Sequence, residues 1–171
     1  FKVVLAKGVT GVQFLTEDVL AAMEAMNAVA PAHNPPYIAA VRQFRSIAPS
    51  LPLIGSFETG FHRDIPPRAY LYPIPKAYAA RGVRRYGYHG ASHEYVSGRV
   101  RELTGSSSLK LVSCHLGGSG SLCAIVDGRS IDTTLGFSLQ CGIMHNNRCG
   151  DIDPYIPIYL MKDFGYSLEQ I

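Results

Sequence analysis

Apolar residues recur at helical spacing from Val19 through Leu20, Met23 and Met26 to Ala30, directly after Thr16-Glu17-Asp18. A hydroxyl N-cap followed by two acids favours a helix start, so this spacing predicts a helix ending before Pro31. A second stripe, Tyr37, Ile38, Val41, Phe44 and Ala48, follows Asn34-Pro35 and stops at Pro49. It predicts a helix capped at Asn34. Leu53 to Phe57 has the length of a short buried strand, and Glu58 stands at its carboxyl end, where open α/β sheets place site residues. Pro66, Pro67, Pro73 and Pro75 predict an irregular stretch. Val96, Val100 and Leu103 then predict a helix with that stripe inward and Gly105 as C-cap. The runs 109–116, 122–126 and 129–133 are separated by Gly117-Gly118-Ser119-Gly120 and by Asp127-Gly128, a pattern of successive hairpins. Asp153-Pro154 opens a last helix carrying Tyr155, Ile158 and Tyr159, with Gly165 as its stop. Mixed helices and strands predict an α/β class.

Both ends predict an internal piece of a longer protein. Phe1 opens an apolar run without an initiator Met, and Ser167 to Ile171 reads as a helix start with a Ser/Gln capping box. Over 171 residues, 47% hydrophobic and 17% charged positions exclude a disordered or fibrous chain. A net charge of +3 is too small for a nucleic-acid footprint. The one basic cluster, Arg81, Arg84 and Arg85, reads as a solvated turn. No apolar stretch approaches the roughly 20 residues of a membrane-spanning helix. Cys114, Cys123, Cys141 and Cys149 form no C-x-x-C pair, which fits a reducing cytoplasm.

Four segments could carry chemistry. Cys114 to Ser121 joins two strands through glycines, so backbone N–H groups could approach a phosphate, or the loop could be an ordinary hairpin turn. Tyr86 to His93 sets His89 and His93 four apart at a helix entrance, which suggests zinc, but no Glu follows the first His and no third ligand is evident. In Asn146 to Pro154, Arg148 offers a planar fork for carboxylate or phosphate oxygens, with an Arg148–Asp151 pair as the structural alternative. Glu58, between Phe57 and Phe61, is either a solvated carboxylate or a metal or positioning group.

The order of these segments is informative. Ala-His-Asn-Pro (32–35), Phe-Glu-Thr-Gly-Phe-His (57–62), Arg-Arg-Tyr-Gly-Tyr-His-Gly-Ala-Ser-His (84–93), Cys-His-Leu-Gly (114–117) and Arg-Cys-Gly-Asp-Ile-Asp-Pro (148–154) together resemble the acetate kinase family across essentially the whole chain. That resemblance implies two ribonuclease H-like domains of the actin-like ATPase superfamily. Residues 1–62 would end the first domain and 63–171 begin the second. It implies reversible phosphoryl transfer from ATP, with Mg²⁺ present, to a short-chain carboxylate, giving an acyl phosphate and ADP, and a parent protein that is a homodimer.

Roles carry over by position. Arg148 would meet the transferring phosphoryl group and the carboxylate, and His89 would donate a hydrogen bond to the same group. His115, Leu116, Gly117, Gly118, Ser119 and Gly120 would hold the nucleotide phosphates. Lys2 would bind the carboxylate, and Val4, Ala32, Tyr88 and Leu139 would line the pocket for the acid's alkyl end. Glu58 is the third catalytic position, where the family pattern has Asp. Lys2 replaces an Arg, Gly118 an Asn, Ser119 a Gly, Ala32 a Leu and Leu139 a Pro. These departures leave a second reading, a degenerate homologue that binds nucleotide or a partner without turnover.

Overall fold

Short β runs assemble into two separate three-stranded sheets in the structure, a computed structural model that describes all residues from Phe1 to Ile171. In the first sheet β1 (Lys2–Val3) and β2 (Val12–Phe14) flank β3 (Ile54–Phe57), β1 running parallel and β2 antiparallel to it. Lys2 pairs with Ser56 and Val3 with Phe57. The Glu58 N–H extends this ladder to Val3 O at 2.9 Å, so Glu58 leaves the carboxyl edge of the central strand on the same side as Lys2.

Helices α1 (Glu17–Glu24) and α2 (Asn34–Ile47) cover this sheet, and Val3, Leu20, Met23, Ile38, Val41 and Phe57 form the core between them. Thr16 caps α1 as its sequence predicts, its Oγ1 accepting from the Val19 N–H at 3.3 Å. The helix ends at Glu24 rather than before Pro31. From Met26 the backbone tightens into i→i−3 bonds, Met26 to Met23 and Asn27 to Glu24, which still bury Met26 and Ala30. Asn34 is not the cap of α2. It is fully buried as the first helical residue, and its Nδ2 donates to Leu5 O and Met23 O at 2.8 Å each.

The second sheet is an antiparallel meander of β4 (Lys110–Leu116), β5 (Gly120–Val126) and β6 (Arg129–Thr133), as the hairpin pattern predicts. Before it, the proline-rich stretch contains two short helices, α3 (Pro67–Tyr70) and α4 (Lys76–Ala80). The helix α5 (Gly90–Thr104) lies against the sheet and ends at Gly105 in the left-handed conformation expected of a C-cap. Its orientation differs from the predicted one. Gly90, His93 and Ser97 face inward, whereas Val96 and Leu103 are exposed. The reason is polar: His93 bonds Ser113 and Ser121 on the sheet, and these bonds fix the rotation of the helix. The final helix α6 (Tyr155–Phe164) buries no residue against the rest of the chain, and Gly165 ends it as predicted.

Side chains and backbone bonds join the two sheets. A 3₁₀ turn, Gly60–His62, follows β3 and places His62 against β6. A second apolar cluster, Val4, Leu5, Met26, Ala30, Tyr88 and Leu135, with Leu139 at its edge, links the start of the chain to the loop after β6. Arg85 is a structural cross-link rather than part of a solvated turn. Its Nε donates to Ala69 O at 3.0 Å and its Nη1 to Thr133 O and Thr134 O at 2.9 and 3.0 Å. The Arg84 guanidinium lies 4.0 Å from the Tyr70 ring centre.

Gly87 sits where only glycine fits. Its φ is +73°, and a Cβ there would meet the His62 ring at 2.5 Å and Thr133 at 2.7 Å. Gly87→Ala is expected to destabilise the protein by about 3 kcal/mol, from combined backbone strain and overpacking. Urea denaturation of the substituted and unsubstituted proteins measures this, and an unchanged midpoint would contradict the packing described.

Candidate active site

The edge of the first sheet supplies a cation and a carboxylate in contact. Lys2 Nζ lies 2.7 Å from Glu58 Oε1, with the Lys2 side chain exposed and that of Glu58 only 8% exposed. The hydrogen bond to Glu58 raises the Lys2 pKa above its ordinary value, against the opposing effect of partial burial. Of the two sequence readings of Glu58, the solvated one is excluded. The first residue of α5 then approaches Glu58 closely: the Gly90 N–H donates to Glu58 O at 2.9 Å, and a Cβ on Gly90 would overlap that oxygen. His89, just before the helix, takes a left-handed conformation (φ 59°). The start of α5 is thereby locked to the end of β3, and His89 is held next to Glu58 and Lys2.

Behind His89 lies a buried layer of imidazoles and hydroxyls. His89 Nδ1 and His93 Nε2 each lie 2.8 Å from Ser121 Oγ, and His93 Nδ1 lies 2.9 Å from Ser113 Oγ. His115 stacks on His89 with ring centres 4.1 Å apart, and its Nδ1 meets Ser92 Oγ at 2.9 Å. His62 donates from Nε2 to Tyr88 O at 2.9 Å, so its Nδ1 accepts from the Ser130 hydroxyl at 2.8 Å. The hydrogen bonds to Ser121 occupy the facing nitrogens of His89 and His93, and no cluster of three or more His, Cys, Asp or Glu side chains is placed to hold a metal ion.

Three of these imidazoles, His62, His89 and His93, are held neutral. Burial lowers the His89 pKa to about 3, with further depression from His115, His93, Lys2 and Arg148. His62 and His93 are each lowered to about 4, chiefly by burial. Lys2 and Arg148 thus both act on His89 electrostatically. Ser121 has one hydrogen for two imidazole neighbours, so it donates to one and accepts from the other. With Ser121 donating to His89 Nδ1, the His89 proton sits on Nε2 as a hydrogen-bond donor.

Arg148 lies in the loop between β6 and α6. Its Nη1 donates to Leu139 O at 2.6 Å, and it makes no ion pair with Asp151. Asp151 instead closes its own turn, its Oδ1 accepting from the Gly142 N–H and its N–H donating to Gly142 O, both at 2.8 Å. The remaining guanidinium donors are without a protein acceptor. The glycine loop between β4 and β5 is partly engaged: the Gly117 N–H bonds Ser119 O, and the Gly120 N–H bonds His145 Nδ1. The N–H groups of Gly118 and Ser119 have no protein acceptor, and Ser119 Oγ is buried without a partner. That orphaned hydroxyl beside two free N–H groups is what a small anion-binding turn requires.

Of the residues assigned to the alkyl pocket, Val4, Tyr88 and Leu139 come together in one buried cluster, and Ala32 is exposed in the turn before α2. Lys2 and Glu58 are in contact, His115 stacks on His89, and Arg148 bonds Leu139 O, with Leu116 and Gly120 at the paired base of the loop. The supporting hydroxyls of Ser92, Ser113, Ser121 and Ser130 were not singled out in the sequence. The period-two placement of Ser113 with His115, and of Ser121 with Cys123, was the available signal for a polar inner face. Nothing in the sequence pattern marks His145.

The profile of the acetokinase family matches residues 6–171 of the chain. An acetate kinase of Coprothermobacter proteolyticus is 42% identical over 165 residues, covering 95% of this chain and 41% of the relative. One from Bacillus cytotoxicus is 42% identical over 160 residues, covering 92% and 40%. The chain thus spans about 40% of the length of the curated relatives it matches. Among solved structures, a propionate kinase from Francisella tularensis superposes with a TM-score of 0.92 at 34% identity, covering 98% of this chain and 44% of that one. The acetate kinase of Porphyromonas gingivalis gives 0.86 at 32% identity, over 99% and 43%.

The neutral imidazoles make stability depend on pH. Unfolded histidines take up protons near pH 6.5, whereas His62 and His93 resist until about 4, so stability is full above 6.5 and is lost as pH falls towards 4. The urea midpoint is expected to fall between pH 7 and pH 5, and less so in His93→Gln. An equal midpoint at both values would mean that the imidazoles are not buried in their neutral form.

Proposed function

Since the chain belongs to the acetokinase family, we propose that residues 1–171 form the central part of a kinase that transfers the γ-phosphoryl group of ATP reversibly to acetate or another short-chain carboxylate. The products are an acyl phosphate and ADP. The observation that carries the reading is the Lys2–Glu58 pair locked through Gly90 to the His89–His115 stack, together with Arg148 donors and loop N–H groups that have no protein acceptor. Phosphoryl transfer depends mainly on positioning and charge stabilisation, and these groups supply both.

Arg148 is anchored through one nitrogen to Leu139 O, which leaves its other donors for the equatorial oxygens of the phosphoryl group. His89 stays neutral through the working pH range and acts as a hydrogen-bond donor rather than a cation. Lys2 supplies positive charge for the acid's carboxylate. Gly118 and Ser119 donate to nucleotide phosphates, with the Ser119 hydroxyl as a further partner. Glu58 leaves one carboxylate oxygen beyond that bonded to Lys2. This fits Mg²⁺ carried in on the nucleotide phosphates, for which one protein carboxylate is an ordinary complement, but not an ion caged by protein. The ion would neutralise phosphate charge. The proposal includes a domain division near residue 62, a cytoplasmic location and a homodimeric parent. No helix is long and apolar enough to cross a membrane.

The Lys2–Glu58 contact favours active chemistry over a degenerate homologue, because it joins two of the departures from the family pattern in one ion pair. The longer acid reaches the ammonium of the non-branched cation, so the two departures from the family pattern compensate each other. ATP-dependent acyl hydroxamate formation by the full chain distinguishes the readings, and its absence with every short acid would favour binding without turnover. Arg148→Ala is expected to lower kcat by about 10³-fold. Glu58→Asp and Lys2→Arg should each reduce activity, with the double variant better than their sum by about 1 kcal/mol; strict additivity would show that the pair is not coupled.

A further inference from the structure

A single imidazole outside the catalytic group links the phosphate-facing loop to the arginine turn. His145 Nδ1 accepts from the Gly120 N–H at 2.9 Å, and its Nε2 lies 3.2 Å from Cys141 O. A backbone N–H can only donate and a carbonyl can only accept, so these two bonds fix the neutral Nε2–H tautomer. The same residue closes the turn that carries Arg148, through its own N–H to Arg148 O at 3.0 Å. Its neighbour repeats the connection, the Asn146 N–H donating to Gly118 O at 3.1 Å. The glycine loop touches this segment closely, since a Cβ on Gly120 would meet Ile143 at 2.8 Å. Loop 117–120 and the Arg148 turn are therefore one unit, in which the Gly118 and Ser119 donors and the Arg148 guanidinium keep a fixed separation.

We propose that His145 is a positioning residue that sets the distance between the nucleotide-phosphate loop and Arg148. It touches neither substrate. Its effect arises because the Gly120 N–H, once satisfied by Nδ1, orients the peptide plane from which the loop's remaining donors project. Loss of Nδ1 would leave a buried N–H without an acceptor, and the loop would turn to find one. This rests on the reading of the loop and Arg148 given above, so the test separates the two.

The experiment uses the full chain carrying residues 1–171 and compares His145→Leu, which removes the acceptor, with His145→Asn, whose Oδ1 takes the place of Nδ1. Calorimetric titration with ADP is expected to show about tenfold weaker binding for His145→Leu and recovery to within about threefold for His145→Asn. The KM for ATP should follow the same order, and the KM for the carboxylate should stay within about twofold. Nitrogen-15 spectra of the unsubstituted protein should show His145 as the Nε2–H tautomer. Equal loss in both variants, no loss in either, a parallel rise in both KM values, or the other tautomer would overturn the proposal. If the unsubstituted chain forms no acyl phosphate, the kinase reading fails, while the ADP titration and the tautomer still decide the role of His145.

Discussion

The buried layer of imidazoles and hydroxyls between α5 and the second sheet is the constraint on which the rest of the structure depends. His62, His93 and His115 are each satisfied by a serine, and His89 shares Ser121 with His93. In a low-dielectric interior such groups stabilise only when every partner is present, since an orphaned polar group costs about 1–3 kcal/mol. That condition selects one rotation of α5, one register for β4 and β5, and one position for the 3₁₀ turn that presents His62. Hydrophobic packing alone would have placed Val96 and Leu103 inward and turned His93 away from its two serines.

The candidate site is a consequence of that layer meeting the edge of the first sheet. His89 cannot follow its helix outward, because the Gly90 N–H is bonded to Glu58 O and its own Nδ1 to Ser121. Glu58 in turn is held by β3 and by Lys2. Groups from the two halves of the chain thus share one location, and the acetokinase relatives, which superpose over nearly the whole chain, have the actin-like, ribonuclease H-like α/β fold. Burial keeps His89 and His93 neutral, so the positive charge His89 meets is that of Lys2 and Arg148 rather than its own.

Much of the architecture was legible in the sequence for local reasons. Thr16 caps α1, Gly105 and Gly165 end α5 and α6, and the Gly-rich and Asp-Gly turns separate β4, β5 and β6. Each depends on a backbone preference acting over a few residues. The strands β1 and β2 were not legible as strands, because two or three residues carry no periodicity and exist only through pairing with β3. The short helices in the proline-rich stretch escaped for the same reason.

Sequence alone determined the chemical vocabulary of the site: which residues could donate, accept or carry charge, and the motif order that places them in one family. Tertiary structure decided the grammar. It made Asn34 an internal bridge rather than a cap, turned Arg85 into a cross-link, and kept Arg148 apart from Asp151. It also joined His145 to a glycine loop 25 positions away. The physical reason is common to all four. At these positions the side chain finds no partner in its own helix or turn, and burial forces it to take whichever donor or acceptor the folded chain brings within hydrogen-bond distance.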